Sequence, residues 1–454
     1  MPSRSSRGGG GVGGRGVVAT ASYEARRFGV RSALPTAEAR ARCPHAAFLS
    51  GRFEVYRATS AVVMAQLRAF SPLVEPLSLD EAYVDLAASA DYTSTLSTRD
   101  LSKIADSLRQ RVRDATGGLT ASVGIASSKL VAKIASELDK PDGAVVVPPG
   151  TEQELLRPMS VSVIPGVGPA TAEKLRRIGV NTVAELEQVS SEELVRLLGQ
   201  SHGTSMFGLA RAQDDRPVIS DRETKSISTE DTFERDVVDP TLLAAIVDRH
   251  AHSVCARLAK ARLSGRTVTL KVKLHDFTTQ SRSVTLAGPT DRPLLISRLA
   301  RELLAQLDTS GGVRLLGVGV SGLADWVQDD LFDATDESVA VDRVDRASAK
   351  EADQVHDGVT SDSAGSAAGR ATRDLGHRSW PPGCDVEHPE YGPGWVWGAG
   401  LGRVTVRFET ADTGPGPVRT LRSDDPALRR RDMSVSVLDG EQPQQPAPKP
   451  ASLT

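Results

Sequence analysis

The chain has 454 residues, enough for roughly three domains at typical sizes, and is 39% hydrophobic, 25% charged and only 4% aromatic. A net charge of −3 does not announce a nucleic-acid binder, so any anion-binding surface has to be sought segment by segment. Three scattered cysteines, Cys43, Cys255 and Cys384, exclude a disulfide framework and a zinc cluster and fit a reducing cytoplasm. No apolar run approaches the ~20 residues of a membrane span, and the glycine-rich start lacks the apolar stretch of a signal peptide.

Residues 1–16 are rich in Gly, Arg and Ser and are expected to be disordered. Residues 17–19 look like a strand end, and residues 23–28 like a helix stopped by Gly29. On that helix Tyr23 and Arg26 share a face. The Thr20 hydroxyl, the Tyr23 phenol and the Arg26 guanidinium could therefore converge on an anion, and the arginine fork suits phosphate. Taken alone, the plainer reading of the same segment is an ordinary amphipathic helix with solvated arginines.

Residues 51–148 alternate helix and strand signals. Val55, Val62, Val63 and Leu67 have helical spacing, as do Ile104, Leu108 and Val112. Between these helices lies Leu77-Ser78-Leu79-Asp80-Glu81-Ala82-Tyr83-Val84-Asp85-Leu86, strand-like except for its adjacent carboxylates. Paired acids at the end of a buried strand are costly without a cation, and a divalent metal with oxygen ligands would neutralise them. A solvated turn is the plainer reading of Asp80 and Glu81 alone. Residues 119–126 then read as a strand, and residues 127–138 as a serine-capped helix. The turn Lys140-Pro141-Asp142-Gly143 projects Lys140. This order predicts an α+β sheet with helices on one face.

Residues 150–215 are helical, and Gly166-Val167-Gly168 is a helix-hairpin-helix signature. Its glycines let backbone amides approach a phosphate without reading sequence. Residues 216–224 form a tether. Residues 225–325 alternate strands and helices, with eight Lys/Arg against one acid between Arg249 and Arg282. Alternation puts Lys271 and Lys273 on one strand face, which fits backbone phosphates. Gln328, Leu331 and Phe332 form a peptide that would want a pocket. A flexible linker (334–379), a small β-barrel-like module (380–430) and a Pro/Gln-rich tail (431–454) complete the chain.

These motifs, in this order, resemble those of the Y-family translesion DNA polymerases in their actinobacterial form, over about residues 12–332. The resemblance implies a right hand: fingers over 17–52, palm over 53–149, a helix-hairpin-helix thumb over 150–215 and a little finger over 225–325. It implies that Thr20, Tyr23, Arg26 and Lys140 hold the incoming triphosphate, and that Asp80 and Glu81 ligate two catalytic Mg²⁺ ions. Gly166, Gly168, Lys271 and Lys273 would hold primer-template DNA. Gln328, Leu331 and Phe332 would bind a sliding clamp, and the protein would act as a monomer. The family's first strand, with its own Asp and an aromatic pair that rejects ribonucleotides, has no counterpart in this sequence. Two expectations follow: an active low-fidelity polymerase whose natural start lies upstream, or a catalytically impaired DNA- and clamp-binding remnant. A plain helix-hairpin-helix binding protein would leave Asp80-Glu81 and Tyr23/Arg26 unexplained.

Overall fold

The computed structural model describes residues 4–7, 15–90, 96–220, 223–325, 342–344, 380–410 and 413–431. The chain opens with β1 (Arg4–Arg7), β2 (Val18–Thr20), α1 (Tyr23–Arg26), α2 (Thr36–Arg42) and β3 (Ala47–Ser50). These strands form a sheet of order β2-β1-β3, with β1 antiparallel to β2 and parallel to β3. Residues 4–7 are thus a central strand inside a segment expected to be disordered. Their polar side chains gave no signal; the backbone groups of β2 and β3, which need partners, supply the ladder. The Ser22 side chain caps α1 by accepting from the Ala25 amide, and Gly29, at φ +76°, turns the chain away. Val18, Ala21, Ala25, Val30, Ala39, Cys43, Ala46 and Phe48 make a small core beneath.

The palm-like region contains α3 (Phe53–Phe70), β4 (Val74–Pro76), β5 (Ala82–Val84), α4 (Thr98–Ala115), β6 (Val123–Ile125), α5 (Lys129–Leu138) and β7 (Ala144–Val146). The expected single sheet is two short ladders among the described residues: β4 with β5 antiparallel, and β6 with β7 parallel. The strand expected over 119–126 shrinks to β6. Ser128 caps α5 through its side chain, as its position before an apolar-periodic run predicts. Leu130, Val131, Ile134 and Ala135 of α5 are buried with Leu156, Ile164 and Leu175 from the next region. That region is helical: α6 (Glu152–Leu156), α7 (Pro169–Arg177), α8 (Val183–Glu187), α9 (Ser191–Leu198) and α10 (Gln200–Leu209). Palm and thumb therefore share one core along α5.

Beyond the tether come β8 (Ser226–Val237), α11 (Pro240–Ala261), β9 (Leu263–Leu274), β10 (Thr279–Thr290), α12 (Pro293–Ala305), β11 (Val313–Asp325) and β12 (Asp342–Val344). The sheet order is β12-β10-β9-β11-β8. Val268, Leu270 and Val272 of β9 pack with Val247, Val254 and Leu258 of α11 and with Ile296 and Ala300 of α12. The pattern reading did not foresee β8, a largely half-buried edge strand with Ile227 as its buried residue, or β12, inside the stretch expected to be linker. The last described unit, β13 (Asp385–His388), β14 (Gly392–Gly400), β15 (Arg403–Arg407), β16 (Val418–Arg422) and β17 (Arg429–Arg430), is an antiparallel sheet of order β16-β15-β14-β13-β17. It has its own core of Trp380, Val386, Val396, Val404, Val406, Phe408 and Leu428. His388 accepts the Glu390 amide and stacks on Tyr391.

Two consequences of this packing can be measured. A Cβ at Gly124 would overlap the Ala132 carbonyl and Ser136 amide of α5. Gly124→Ala is therefore expected to cost about 1–3 kcal/mol or more by overpacking, read as a lowered urea midpoint. Burial, with Asp214, Glu81 and Glu75 nearby, pushes the Tyr83 phenol from its ordinary 10 up to about 12, against an opposing pull from Arg216. A raised acid favours its protonated form in the fold. Its contribution is thus complete below about pH 10 and is lost as pH rises from about 10 to 12. Tyr83→Phe should flatten that part of the stability-against-pH curve, measured by denaturant unfolding.

Candidate active site

The adjacent carboxylates lie at the tip of the β4–β5 hairpin. The Glu81 carbonyl accepts from the amides of Leu77 (2.9 Å) and Ser78 (3.3 Å). The Ser78 hydroxyl donates to Asp80 Oδ1 at 2.7 Å and accepts from the Asp80 amide at 3.3 Å. The chain therefore bends at Ser78–Asp80, and the strand alternation that would send neighbours to opposite faces is broken. Asp80 is exposed and Glu81 half-buried.

Glu81 does not stand alone: Lys133 Nζ of α5 donates to its Oε1 at 2.9 Å. One helical turn earlier Lys129 pairs with Glu75 of β4, both buried. Lys140, the lysine expected at the triphosphate, lies past the end of α5 and pairs with Glu137. The lysine brought to the carboxylates is Lys133. The sequence reading missed it, although the helical period puts Lys129 and Lys133 on one face of α5. The turn after Lys140 is gripped from α4: Arg109 Nη2 meets Asp142 Oδ1 at 2.9 Å, and Arg113 pairs with Oδ2. These guanidiniums hold the Asp142 carboxyl below its usual range.

In the fingers, Thr20 ends β2 and is exposed, and Tyr23 opens α1. Arg26 Nε donates to the Ala21 carbonyl at 3.1 Å, and the guanidinium lies 4.9 Å from the Tyr23 ring centre. The structure thus pairs Tyr23 with Arg26, and Glu81 with Lys133. Among the described residues no hydrogen bond or ion pair links one pair to the other.

Asp80 and Glu81 offer oxygen donors only, which is the donor chemistry of a hard divalent cation. Among the described residues no group of three or more His, Cys, Asp or Glu forms a ready cage. Mg²⁺ seldom needs one, since one or two carboxylates with water and substrate phosphates suffice. The residues present fit such an ion.

Gly166 takes φ +94°, and Gly168 is the N-cap of α7 with Pro169 in its first turn. The first helix expected before this hairpin is a single 3₁₀ turn, Val161–Val163. Lys271 and Lys273 share the face of β9 opposite buried Val272, as alternation predicts. Lys271 is paired with Glu230 at 3.0 Å, which trims the positive charge of that face. Lys273 lies 5.6 Å and Arg314 4.2 Å from the ring centre of Phe277, an aromatic 59% exposed at the β9–β10 turn that the sequence reading passed over. Gln328, Leu331 and Phe332 lie outside the described residues.

Three comparisons bear on this geometry. The impB/mucB/samB family matches residues 7–137, its C-terminal domain matches 224–331, and the thumb domain described for DNA polymerase-iota matches 162–214. The chain is 50% identical to DNA polymerase IV of Streptomyces coelicolor over 98% of its length and 90% of the relative's. It is 39% identical to DNA polymerase IV of Corynebacterium diphtheriae over 95% and 92% of the two chains. The fold is similar to that of a Y-family DNA polymerase chimera, with a TM-score of 0.63 at 24% identity over 71% of this chain and 92% of the other. A match running nearly end to end at this identity settles the lineage: the chain belongs to the impB/mucB/samB family, the Y-family DNA polymerases.

Proposed function

We propose that this chain is a template-directed, low-fidelity DNA polymerase of translesion synthesis, adding deoxynucleoside triphosphates to a primer 3′-hydroxyl. The observation that carries the reading is the near full-length match to two proteins named DNA polymerase IV. It covers the Asp80-Glu81 hairpin and the residues around it. In this reading Asp80 and Glu81 hold Mg²⁺, two ions in all. Bound there, the metal would supply charge neutralisation at the transferred phosphate. Arg26, braced by Ala21 and stacked on Tyr23, holds the triphosphate with Thr20 and Tyr23, and Lys140 reaches it by leaving Glu137. Lys133 keeps the Glu81 carboxylate in place before the substrate arrives. The amides around Gly166 and Gly168 grip a backbone phosphate, and the Lys271/Lys273 face meets the duplex further along. Gln328, Leu331 and Phe332 engage a sliding clamp. The protein works as a cytoplasmic monomer.

Primer extension tests the reading directly. The chain is expected to extend a primed template with Mg²⁺. Asp80→Asn or Glu81→Gln should lower the insertion rate by about 10²-fold or more, with primer-template affinity retained. Intact DNA and clamp binding without extension by the parent chain would instead favour the remnant. For the clamp, Leu331→Ala with Phe332→Ala should weaken clamp affinity by about tenfold or more, as expected for lost buried anchors. Extension without the clamp should be unchanged; equal clamp binding by parent and variant would remove this peptide from the proposal.

A further inference from the structure

Behind the carboxylate hairpin lies a charged network to which the proposed chemistry gives no task. Glu75 is fully buried on β4 and Lys129 is 7% exposed on α5; the two form an ion pair. The Lys129 ammonium lies 5.2 Å from the ring centre of Tyr83, which is the cross-strand partner of Glu75 on β5. A buried ion pair is at best a weak stabiliser. Its place here calls for another account.

The tether supplies one. Glu75 Oε2 also accepts the backbone amide of Ile219 at 2.9 Å. Asp214 accepts the Leu130 amide at 2.8 Å, at the first turn of α5, and holds Arg216 at 2.5 and 2.9 Å. The segment leading to β8 is thus pinned twice, once to α5 and once to the strand that feeds the carboxylates. The hairpin itself has only three residues in each strand, and an isolated two-stranded hairpin is marginal in water. Its position depends on outside clamps: Lys129 on Glu75 before the tip, and Lys133 on Glu81 at the tip.

We propose that Glu75 and Lys129 are positioning residues. They register the Asp80-Glu81 hairpin against α5 and tie it to the tether through the Ile219 amide, so that the attachment of the little finger sets the placement of the carboxylates. The kinetic consequence rests on the polymerase reading; the mechanical coupling does not.

Three variants test this, read by amide exchange, insertion kinetics, primer-template affinity and thermal stability. Ile219→Pro deletes the donor amide and leaves the buried pair untouched; the Ile219 side chain is 47% exposed, so little packing is lost. Glu75→Gln keeps the shape and removes the charge. Glu75→Gln with Lys129→Met removes both charges, which relieves the unpaired group left by a single change. In Ile219→Pro and in the double variant, amide exchange at Leu77 and Ser78, whose N–H groups bond the Glu81 carbonyl, should quicken by about tenfold. Single-turnover insertion should fall by about tenfold, with KM for the nucleotide and primer-template affinity within about twofold of the parent. The double variant should recover thermal stability relative to Glu75→Gln without recovering rate. Exchange and insertion unchanged in Ile219→Pro and the double variant would overturn the proposal, as would a double variant whose rate returns with its stability. If the parent extends no primer, the polymerase reading fails, and the exchange rates at Leu77 and Ser78 still decide the coupling.

Discussion

Two lysines one helical turn apart, Lys129 and Lys133, hold Glu75 on the strand and Glu81 at the carboxylate tip. Much else follows from the helix that carries them. Its other side buries Leu130, Val131, Ile134 and Ala135 in the core that also contains Leu156, Ile164 and Leu175 of the thumb. A close-packed core of this kind transmits displacement rather than absorbing it. The helix therefore fixes the acids relative to the thumb, whose Gly166 and Gly168 turn is the proposed grip on the DNA backbone. The reacting end of a primer has to be placed to within an ångström, and a rigid palm–thumb unit can do this where loops could not.

The same pairs shape the electrostatics of the tip. The Lys133–Glu81 pair is partly open to solvent, with side chains 31% and 42% exposed. Pairs of that kind contribute about 0–1 kcal/mol, so Lys133 is no barrier to a divalent ion. In the proposed metal site it would lower the repulsion between neighbouring carboxylates before an ion binds, and could then yield Glu81 at little cost. The buried Lys129–Glu75 pair is the opposite case. Removing one partner strands a charge away from water, at about 3–5 kcal/mol, so this pair is not exchanged during a catalytic cycle. One helix thus presents a permanent clamp and a replaceable one.

The sequence was legible where a single local rule governed the outcome. A serine before an apolar period gave α5, and alternation gave the Lys271/Lys273 face. It was opaque where the outcome depends on partners distant in the chain. Arg4–Arg7 becomes a strand because β2 and β3 flank it, and nothing in two arginines and two serines says so. The edge strand β8 has one side free of a sheet neighbour and can be polar, so it lacked the pattern of its interior neighbours. Lys133 looked like any solvated helix lysine until Glu81, far back in the chain, was brought to it. The Ile219 bond to Glu75 was invisible for the same reason, since a backbone amide carries no sequence signature.

The manner in which the units are joined also bears on function. Fingers, little finger and C-terminal module each have their own core. Their described links include Arg15 to Asp236 at 2.5 and 3.1 Å and Arg52 to Asp385 at 2.9 Å. The first of these charged contacts is part-buried and the second exposed; contacts of this kind are weaker and more screened by salt than an apolar seam, so the units can shift relative to one another without disturbing a shared apolar core. The tether differs, because it is held to the palm by bonds that reach a fully buried carboxylate. In the proposed function, a protein that accepts misshapen templates needs play in the surfaces proposed to hold the duplex and little at the carboxylates proposed to hold the metal. Polar links outside and one apolar helix inside give that division, and the tether is where the movable part meets the fixed one.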